Sequence, residues 1–341
     1  MPPDFRKLPK IELHCHLDAS VRISTVADLG REAGLRLPEP LAPALVAPDL
    51  CLDLADFLLR IDLALEVMQR REQLMRIARE FVEDLANDGV IYGEVRFAPQ
   101  LHLRGGLSLR EVVNAVHDGL RQGERAFGVP TGLILCCLRH ETPARSVEIA
   151  RLALDNRDKA CALDLAGDEA RYGGAPHAEA FALARAEGLR RTVHAGEAAG
   201  ADSVREALEI LGAERIGHGV RIVESKAVQE MARKGVVTLE MCPLSNVQTR
   251  AATSLANHPI DQLLRNGLRV TVSTDARTVS PTTVSAEFER LATTFGWGAA
   301  EFWRCQRHAA DAAFVSPEAR IALAKKLSEA NLPGAPQTDL G

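Results

Sequence analysis

The sequence is poor in aromatic residues, carries no concentration of basic charge and has no long apolar run. Its 341 residues include two Trp and two Tyr, and the formal net charge is −5. With neither a basic stripe nor aromatic stacking platforms, the composition disfavours nucleic acid as a partner. No stretch approaches the roughly 18 continuous apolar residues of a membrane span, and the first ten residues lack the apolar core of a signal peptide. The sequence therefore predicts a cytoplasmic protein with no nucleic-acid or membrane partner.

Cysteine occurs seven times, an odd number, at scattered positions that form no paired CxxC motif. A disulfide framework or a cysteine-based zinc site is therefore not expected. We expect reduced thiols that serve mostly as small core residues. The composition specifies no oligomeric state.

Short apolar runs rich in β-branched residues recur along the chain, and each is followed by a longer segment with helical periodicity. Continuous apolar character is typical of strands buried on both faces, as in a parallel sheet. Eight strands are predicted, near residues 10–17, 91–97, 131–138, 160–166, 190–195, 215–220, 236–242 and 268–274. Their alternation with helices predicts a (β/α)8 TIM barrel over residues 1–330, followed by a loose tail over residues 331–341. An open doubly wound sheet is the alternative, which the lack of GxGxxG after the first strand disfavours.

The segment between the first two strands is longer than the others. It covers about residues 20–90 and predicts two or three extra helices inserted between strands 1 and 2. Insertions at the carboxyl end of a barrel often cover the active site, so we expect a lid here. Phe57, Leu58 and Ile61 lie in this segment, and their helical spacing favours packing between helices over contact with a ligand.

Polar side chains gather where the predicted strands end, which is where barrel enzymes place their chemistry. The first strand ends in His14, His16 and Asp18, and their alternating spacing points all three side chains to one side. Further polar residues follow later strands: His194, Glu197, His218 and Asp275. Because the carboxyl ends of barrel strands share one face, we expect these groups to converge.

Four of these residues make a candidate set of metal ligands: His14, His16, His194 and Asp275. Three imidazole nitrogens and one carboxylate oxygen form a workable shell for a zinc ion, with room for water. Two-metal barrel hydrolases commonly need a bridging carboxylated lysine at the end of the fourth strand. Here Lys159 lies at the opposite end of that strand, so one zinc ion per chain is predicted.

Seven short segments resemble the adenosine deaminase family in order and spacing: LPKIELHCHLDAS, EVRFAP, DLAGDE, VHAGE, IGHGVRI, CPLSN and STDA. The resemblance runs from about residue 8 to about residue 290. It implies a (β/α)8 barrel that holds one zinc ion and removes the amino group of adenosine or 2′-deoxyadenosine by hydrolysis. It also implies the same four metal ligands.

The resemblance implies roles for the catalytic residues. Glu197 matches the family's proton donor to the purine ring, and His218 matches the histidine beside the zinc-bound water. In this scheme neutral His218 either accepts a proton from that water or orients it. Asp275, besides binding the metal, accepts a hydrogen bond from the attacking oxygen.

The resemblance also implies a substrate-binding set. Asp18 matches a carboxylate that contacts the 5′-hydroxyl of the ribose, His16 lies near the sugar, and the backbone N–H of Gly167 meets a ring nitrogen. Ala276 departs from the family, because many members have a second Asp there that contacts purine N7. Ala19 also departs from the usual Gly. These two changes affect the expected substrate more than the expected reaction.

Other functions stay open. Within the family, the substrate is alternatively adenine or 6-aminodeoxyfutalosine; Asp18 disfavours free adenine, whereas Ala276 leaves a modified nucleoside open. A 5′-phosphate is disfavoured, since Arg277 is the only basic residue noted near the ligands. A catalytically silent binding barrel is the alternative outside enzymes. Such a protein is expected to have lost a ligand or the proton donor, and here all are present.

Overall fold

The computed structural model describes residues 3–329 and contains one sheet of eight parallel strands in sequential order. The strands are β1 (Lys10–His16), β2 (Val90–Phe97), β3 (Thr131–Leu138), β4 (Ala160–Ala166), β5 (Arg190–Ala195), β6 (Arg215–His218), β7 (Thr238–Met241) and β8 (Arg269–Val272). Each coincides with one of the eight predicted strands. The loose tail expected over residues 331–341 lies outside the described residues.

The sheet curls into a nearly closed barrel. Beyond the end of β8, the Asp275 carbonyl accepts a hydrogen bond from the His16 N–H (2.7 Å), and the Asp275 N–H donates to the His14 carbonyl (2.8 Å). Cys15 and Asp275 thereby form a parallel bridge between β1 and the chain that follows β8. The predicted (β/α)8 TIM barrel is confirmed.

Fifteen α-helices are present among residues 3–329. They are α1 (Ile23–Glu32), α2 (Ala42–Leu45), α3 (Leu54–Leu58), α4 (Asp62–Glu66), α5 (Arg71–Asn87), α6 (Leu109–Phe127), α7 (Pro143–Asp155), α8 (Ala178–Ala186), α9 (Ala201–Glu209), α10 (Lys226–Lys234), α11 (Pro243–Gln248), α12 (Ile260–Arg265), α13 (Val284–Phe295), α14 (Ala299–Ala312) and α15 (Pro317–Ser328). None of these described helices has the length and apolar character that crossing a membrane requires.

Helix α6 shows how local sequence determines these elements. Ser108 caps its first turn, and the Glu111 side chain accepts a hydrogen bond from the Ser108 N–H, which completes a capping box. Val112, Val116 and Leu120 recur at helical spacing and are fully buried. This apolar face packs the helix against its neighbours α5 and β3.

The insertion between β1 and β2 contains four helices, α1 to α4, before the barrel helix α5. The sequence predicts two or three; α2, α3 and α4 have only four or five residues each, too few to produce a periodic pattern. The insertion is tied to the loops after β7 and β8. Cys51 N–H donates to the Gln248 carbonyl, and Ala47 N–H donates to the Val279 carbonyl, each at 2.9 Å. These bonds hold the insertion over the carboxyl face of the barrel.

Strand residues alternate between two environments. In β1, Ile11, Leu13 and Cys15 belong to the apolar core between sheet and helices, while Glu12 and His14 alternate with them and are buried as well. The barrel interior is therefore polar, and its charged groups lie beneath the mouth where the strands end.

All seven cysteines are free and six are buried, as expected from their scattered spacing.

Candidate active site

A cavity of about 480 Å³ opens at the carboxyl ends of the strands. Its floor is formed by residues that end β1, β5, β6 and β8, and its upper wall by the insertion helices α3 and α4. Phe57, Leu58 and Ile61 line this cavity. The sequence favours helix packing over ligand contact for these three residues; the structure shows both, because they line the cavity and also belong to an apolar cluster with Ala19 and Ala276.

The predicted ligands converge on the cavity floor. Four side chains, those of His14, His194, His218 and Asp275, offer ligand atoms that all lie within 4.8 Å of one another, and all four are buried. His16 adjoins this group, with its Nε2 3.0 Å from His194 Nε2 and 3.6 Å from Asp275 Oδ1. Residues separated by up to 261 positions in the sequence thus form one buried group suited to a metal ion.

The spacing of these atoms fits a tetrahedral zinc site. His14 Nε2 is 3.3 Å from Asp275 Oδ1, and His14 Nε2 is buried with no hydrogen-bond partner among the described residues. Zinc–ligand bonds of about 2.0–2.1 Å in a tetrahedron place ligand atoms about 3.3 Å apart. The distances involving His16 fall close to the same value. An unpartnered buried nitrogen in such a group is accounted for by a bound cation.

Carboxylates orient two of the imidazoles. His14 Nδ1 lies 2.7 Å from Glu240 Oε2, and His194 Nδ1 lies 3.1 Å from Asp164 Oδ1. A carboxylate accepts hydrogen bonds, so each ring carries its proton on Nδ1 and leaves the Nε2 lone pair free for a metal. The sequence analysis missed Glu240 and the role of Asp164. The feature of the sequence that could have indicated them is a charged residue within an otherwise largely apolar strand.

Arg96 connects the two carboxylates. Its guanidinium donates to Asp164 Oδ2 (3.0 Å), to Glu240 Oε2 (2.7 Å) and to the Leu13 carbonyl (2.7 Å), and the side chain is fully buried. Burial opposes ionisation of Glu240, yet the charges of Arg96 and Arg215 hold the pKa of Glu240 well below its usual range. Both carboxylates are therefore ionised and able to accept from the imidazoles.

Glu197 lies beside this centre in a site that favours its protonated form. Burial, followed by the negative charges of Asp275 and Glu169, raises the pKa of Glu197 well above its ordinary value. Glu169 accepts hydrogen bonds from the four consecutive backbone N–H groups of residues 196–199 and so fixes the loop that carries Glu197. Sequence reasoning missed Glu169, since its partners lie after a different strand.

His218 lies beside the Glu197 side chain, and its Nε2 is 3.5 Å from Glu197 Oε2. Its Nδ1 lies 2.9 Å from Asn246 Nδ2. Burial, and then the neighbouring His14, lowers the pKa of His218 well below its ordinary value, so the ring is neutral. Asn246 is the last residue of the CPLSN segment, and its pairing with His218 is not predictable from that segment.

Asp275 follows β8 in the left-handed backbone region, with φ of 62°. Ser245 Oγ donates to its Oδ2 at 2.5 Å. Burial opposes its ionisation, but the adjacent imidazoles, first that of His14 at 3.3 Å, hold the pKa of Asp275 well below its usual range. A non-glycine residue in this region is strained, and such strain is common where a side chain must be aimed at a site.

The predicted substrate-binding residues line the same cavity: His16, Asp18, Gly167 and Ala276. Burial raises the pKa of Asp18 to about 7, and its Oδ1 has no partner within the described chain. Gly167 has φ of 102°, a conformation that strains side-chain-bearing residues. Ala276 packs in an apolar cluster with Ala19 and Phe57. The structure thus places all four in one cavity, and their contacts with a substrate stay predictions.

Comparison with known proteins agrees with this geometry. Residues 9–330 match the family model described as adenosine deaminase. The chain is 40% identical over 331 residues to the adenosine deaminase of Enterococcus faecalis, covering 96% of this chain and 98% of that protein.

Solved structures with the same fold are similar along most of the chain. The adenine deaminase of Arthrobacter aurescens superposes with a TM-score of 0.88 at 29% identity, covering 96% of this chain and 99% of that one. An amidohydrolase from a Burkholderia species (B. ambifaria), with bound Zn, gives a TM-score of 0.87 at 25% identity, covering 96% and 92%. The family match over nearly the whole length and the close curated relative lead to one conclusion: the chain belongs to the adenosine deaminase family.

Proposed function

We propose that the chain catalyses the zinc-dependent hydrolytic deamination of adenosine or 2′-deoxyadenosine, releasing ammonia and the corresponding inosine. The observation that carries this proposal is Glu197. It is a buried acid with a raised pKa, next to a group of imidazoles and a carboxylate suited to a metal ion. A proton donor beside a metal centre is the combination that amino-group removal from a purine requires.

His14, His16, His194 and Asp275 would hold the zinc ion. When bound, zinc supplies a water molecule activated near neutral pH. The Zn-containing relative from Burkholderia supports this choice of metal. His218 is close enough to belong to the ligand group, but Asn246 rather than a carboxylate faces its Nδ1.

The order of strands around the barrel orients the purine. Glu197 follows β5 and would face N1, and Gly167 follows the adjacent β4, where its N–H would meet N3. C6 then lies over the ligand group. Since N1 and N7 lie on opposite sides of C6, N7 would face Ala276 after β8.

Glu197 in its protonated form would donate a proton to N1 as water oxygen adds to C6. The ring nitrogen takes up the electron pair displaced from the ring, which an unprotonated purine accepts poorly. Ionised Asp275 would accept the proton that the water loses. Asp275 would then pass that proton to the amino group, the C6–N bond would break, and the C6 hydroxyl proton would return to Glu197, giving ammonia and a 6-oxo purine.

The cavity suits a nucleoside better than a nucleotide. Asp18, buried with a free oxygen, would accept a hydrogen bond from a ribose hydroxyl, an interaction that free adenine lacks. Among residues 3–329, those lining the cavity include no Lys or Arg, but they include five acids: Asp18, Asp62, Asp168, Glu197 and Asp275. A 5′-phosphate would therefore find no cationic partner in this cavity.

Ammonia release from zinc-loaded protein tests the proposal with five substrates: adenosine, 2′-deoxyadenosine, adenine, AMP and 6-aminodeoxyfutalosine. We expect the two nucleosides to have the highest kcat/KM. The Glu197→Gln variant should keep its zinc content and lose at least about 10²-fold in kcat, because an amide donates no acidic proton. Near-normal turnover in that variant would contradict the role of Glu197. A clear preference for another substrate would overturn adenosine while leaving the reaction in place.

A further inference from the structure

A chain of buried hydrogen bonds leads away from His218. Its Nδ1 faces Asn246 Nδ2 at 2.9 Å. The other end of the same amide, Oδ1, accepts from the Cys242 N–H at 3.2 Å and lies 3.1 Å from His258 Nε2. His258 Nδ1 in turn accepts from the Ile260 N–H at 3.2 Å. All five residues are buried; Asn246 lies in α11, and Ile260 begins α12.

The backbone N–H groups of Cys242 and Ile260 determine which atom donates in each of these hydrogen bonds. A backbone N–H only donates, so the amide atom that meets Cys242 is the oxygen and the atom that faces His218 is the nitrogen. Ile260 likewise makes His258 Nδ1 an acceptor, and burial lowers the pKa of His258 to about 3, so its single proton is on Nε2. That proton points at Asn246 Oδ1. Both independent donors thus assign the same orientation to the amide.

We infer that Asn246 and His258 are positioning residues that hold neutral His218 in the tautomer protonated on Nε2. His218 then donates a hydrogen bond to the oxygen that attacks C6 and does not remove its proton. The second half of this inference depends on the proposed deamination, whereas the tautomer does not.

The same inference separates His218 from the metal ligands. His14 and His194 face carboxylates at Nδ1, so their Nε2 lone pairs are free. His218 faces an amide N–H donor, so its Nε2 carries a proton and has no lone pair to offer a metal. The proton acceptor for the attacking water is left as the ionised carboxylate of Asp275.

The tautomer is measured by ¹⁵N–¹H correlation NMR of the imidazoles, in metal-free and in zinc-loaded protein. His218 signals are assigned by their loss in His218→Phe. We expect a pyridine-type shift at Nδ1 and a pyrrole-type shift at Nε2 in both forms. A pyrrole-type Nδ1 would overturn the inference whether or not the protein deaminates adenosine.

Asn246→Asp changes one bond of the chain. The carboxylate keeps an oxygen for Cys242 and His258 but places a second oxygen against His218 Nδ1, so the proton should move from Nε2 to Nδ1. We expect the NMR shifts to exchange, zinc content to hold, and kcat to fall about 10²-fold, as when an enzyme loses a donor to a developing oxyanion. Full kcat with exchanged shifts would overturn the donor role.

Gln306→Glu is the matched control. Gln306 is a buried amide whose oxygen accepts from the Ile11 N–H at 2.7 Å, at the other end of β1 from the site. This variant also replaces a buried amide by a carboxylic acid, but far from His218. Lower stability with unchanged shifts and kcat is expected; a loss of kcat equal to that of Asn246→Asp would mean that buried charge alone explains the effect, against the inference. If the protein shows the expected tautomer but does not deaminate adenosine, the proposed function is rejected and the inference on the tautomer stands.

Discussion

The four imidazoles at the barrel mouth belong to the same residue type and differ mainly in their hydrogen-bond partners. Two have a carboxylate at Nδ1, one has an amide N–H, and His16 is the one whose side chain stays partly exposed, at 16%. These partners decide which nitrogen carries the proton, and hence whether a ring ligates or donates. The alternation of β1 predicted where His14 and His16 point. It did not predict their protons, since Glu240 lies 226 residues from His14.

Ala276 has no side-chain donor to offer to N7 of a purine held as proposed. Its own N–H donates to the Thr274 carbonyl at 2.7 Å, the Arg277 N–H donates to Ser20 Oγ at 3.0 Å, and Thr278 Oγ1 donates to the Val21 carbonyl at 2.7 Å. Each of these groups is occupied by the protein. A purine held as proposed therefore gains nothing from its N7 lone pair.

Ala276→Asn is expected to supply that donor. Binding of adenosine should strengthen about two- to tenfold, the worth of one net hydrogen bond, while binding of 7-deazaadenosine, which has carbon at that position, should not. Calorimetry with both ligands in a Glu197→Gln background measures this without turnover. The deaza ligand is the control for crowding by the larger side chain. Equal gains for both ligands would show that N7 does not face residue 276.

Among the elements, strands were predictable and short helices were not. TGLILCCL is apolar on both faces because β3 is buried on both sides, and such a run stands out in a sequence. Three of the four helices of the insertion, α2 to α4, have barely one turn each. Their positions depend on bonds to distant loops, such as that between Cys51 and Gln248, which local pattern does not encode.

The carboxyl-terminal end of the insertion, just before α5, is also hydrogen-bonded to the turn after β2. His102, in the turn after β2, has Nδ1 3.0 Å from the Met68 carbonyl, and the Gln69 amide donates to the Leu101 carbonyl at 3.0 Å. His102 is fully buried, and its ring lies 5.5 Å from that of Phe97. Burial lowers the pKa of His102 to about 4, so the attachment is made by a neutral ring.

This pKa predicts that the attachment weakens in acid. The folded-state pKa is below the ordinary 6.5, so below pH 6.5 the unfolded chain takes up a proton that the folded protein refuses. The stability that His102 contributes is complete above pH 6.5 and falls as the pH approaches 4, by about 2 kcal/mol at pH 5. Urea unfolding of the protein and of His102→Gln at pH 7.5 and 5 checks this. The difference between the two proteins should shrink by that amount, and a constant difference would contradict it.

At the scale of the whole molecule, the ligand group joins distant parts of one chain. His14 and His16 end β1, His194 lies in β5 on the far side of the barrel, and Asp275 follows β8 where the barrel closes. The sequence predicted this convergence because barrel strands end on one face. It could not predict the network of Arg96, Asp164 and Glu240 beneath, which depends on how the strands are staggered around the barrel.

A zinc ion held as proposed, by residues so far apart in sequence, would bind the folded barrel in preference to the unfolded chain. At about 1,000 times its Kd, zinc should add about 4 kcal/mol to the free energy of unfolding. With an unfolding entropy of about 0.7 kcal/mol/K for a chain of this length, Tm should rise by about 6 °C over the chelator-treated protein. Calorimetric melting of both forms measures the shift. His194→Ala, which removes the β5 ligand, should lose most of it, and an undiminished shift in that variant would show that zinc stabilises the protein from another site.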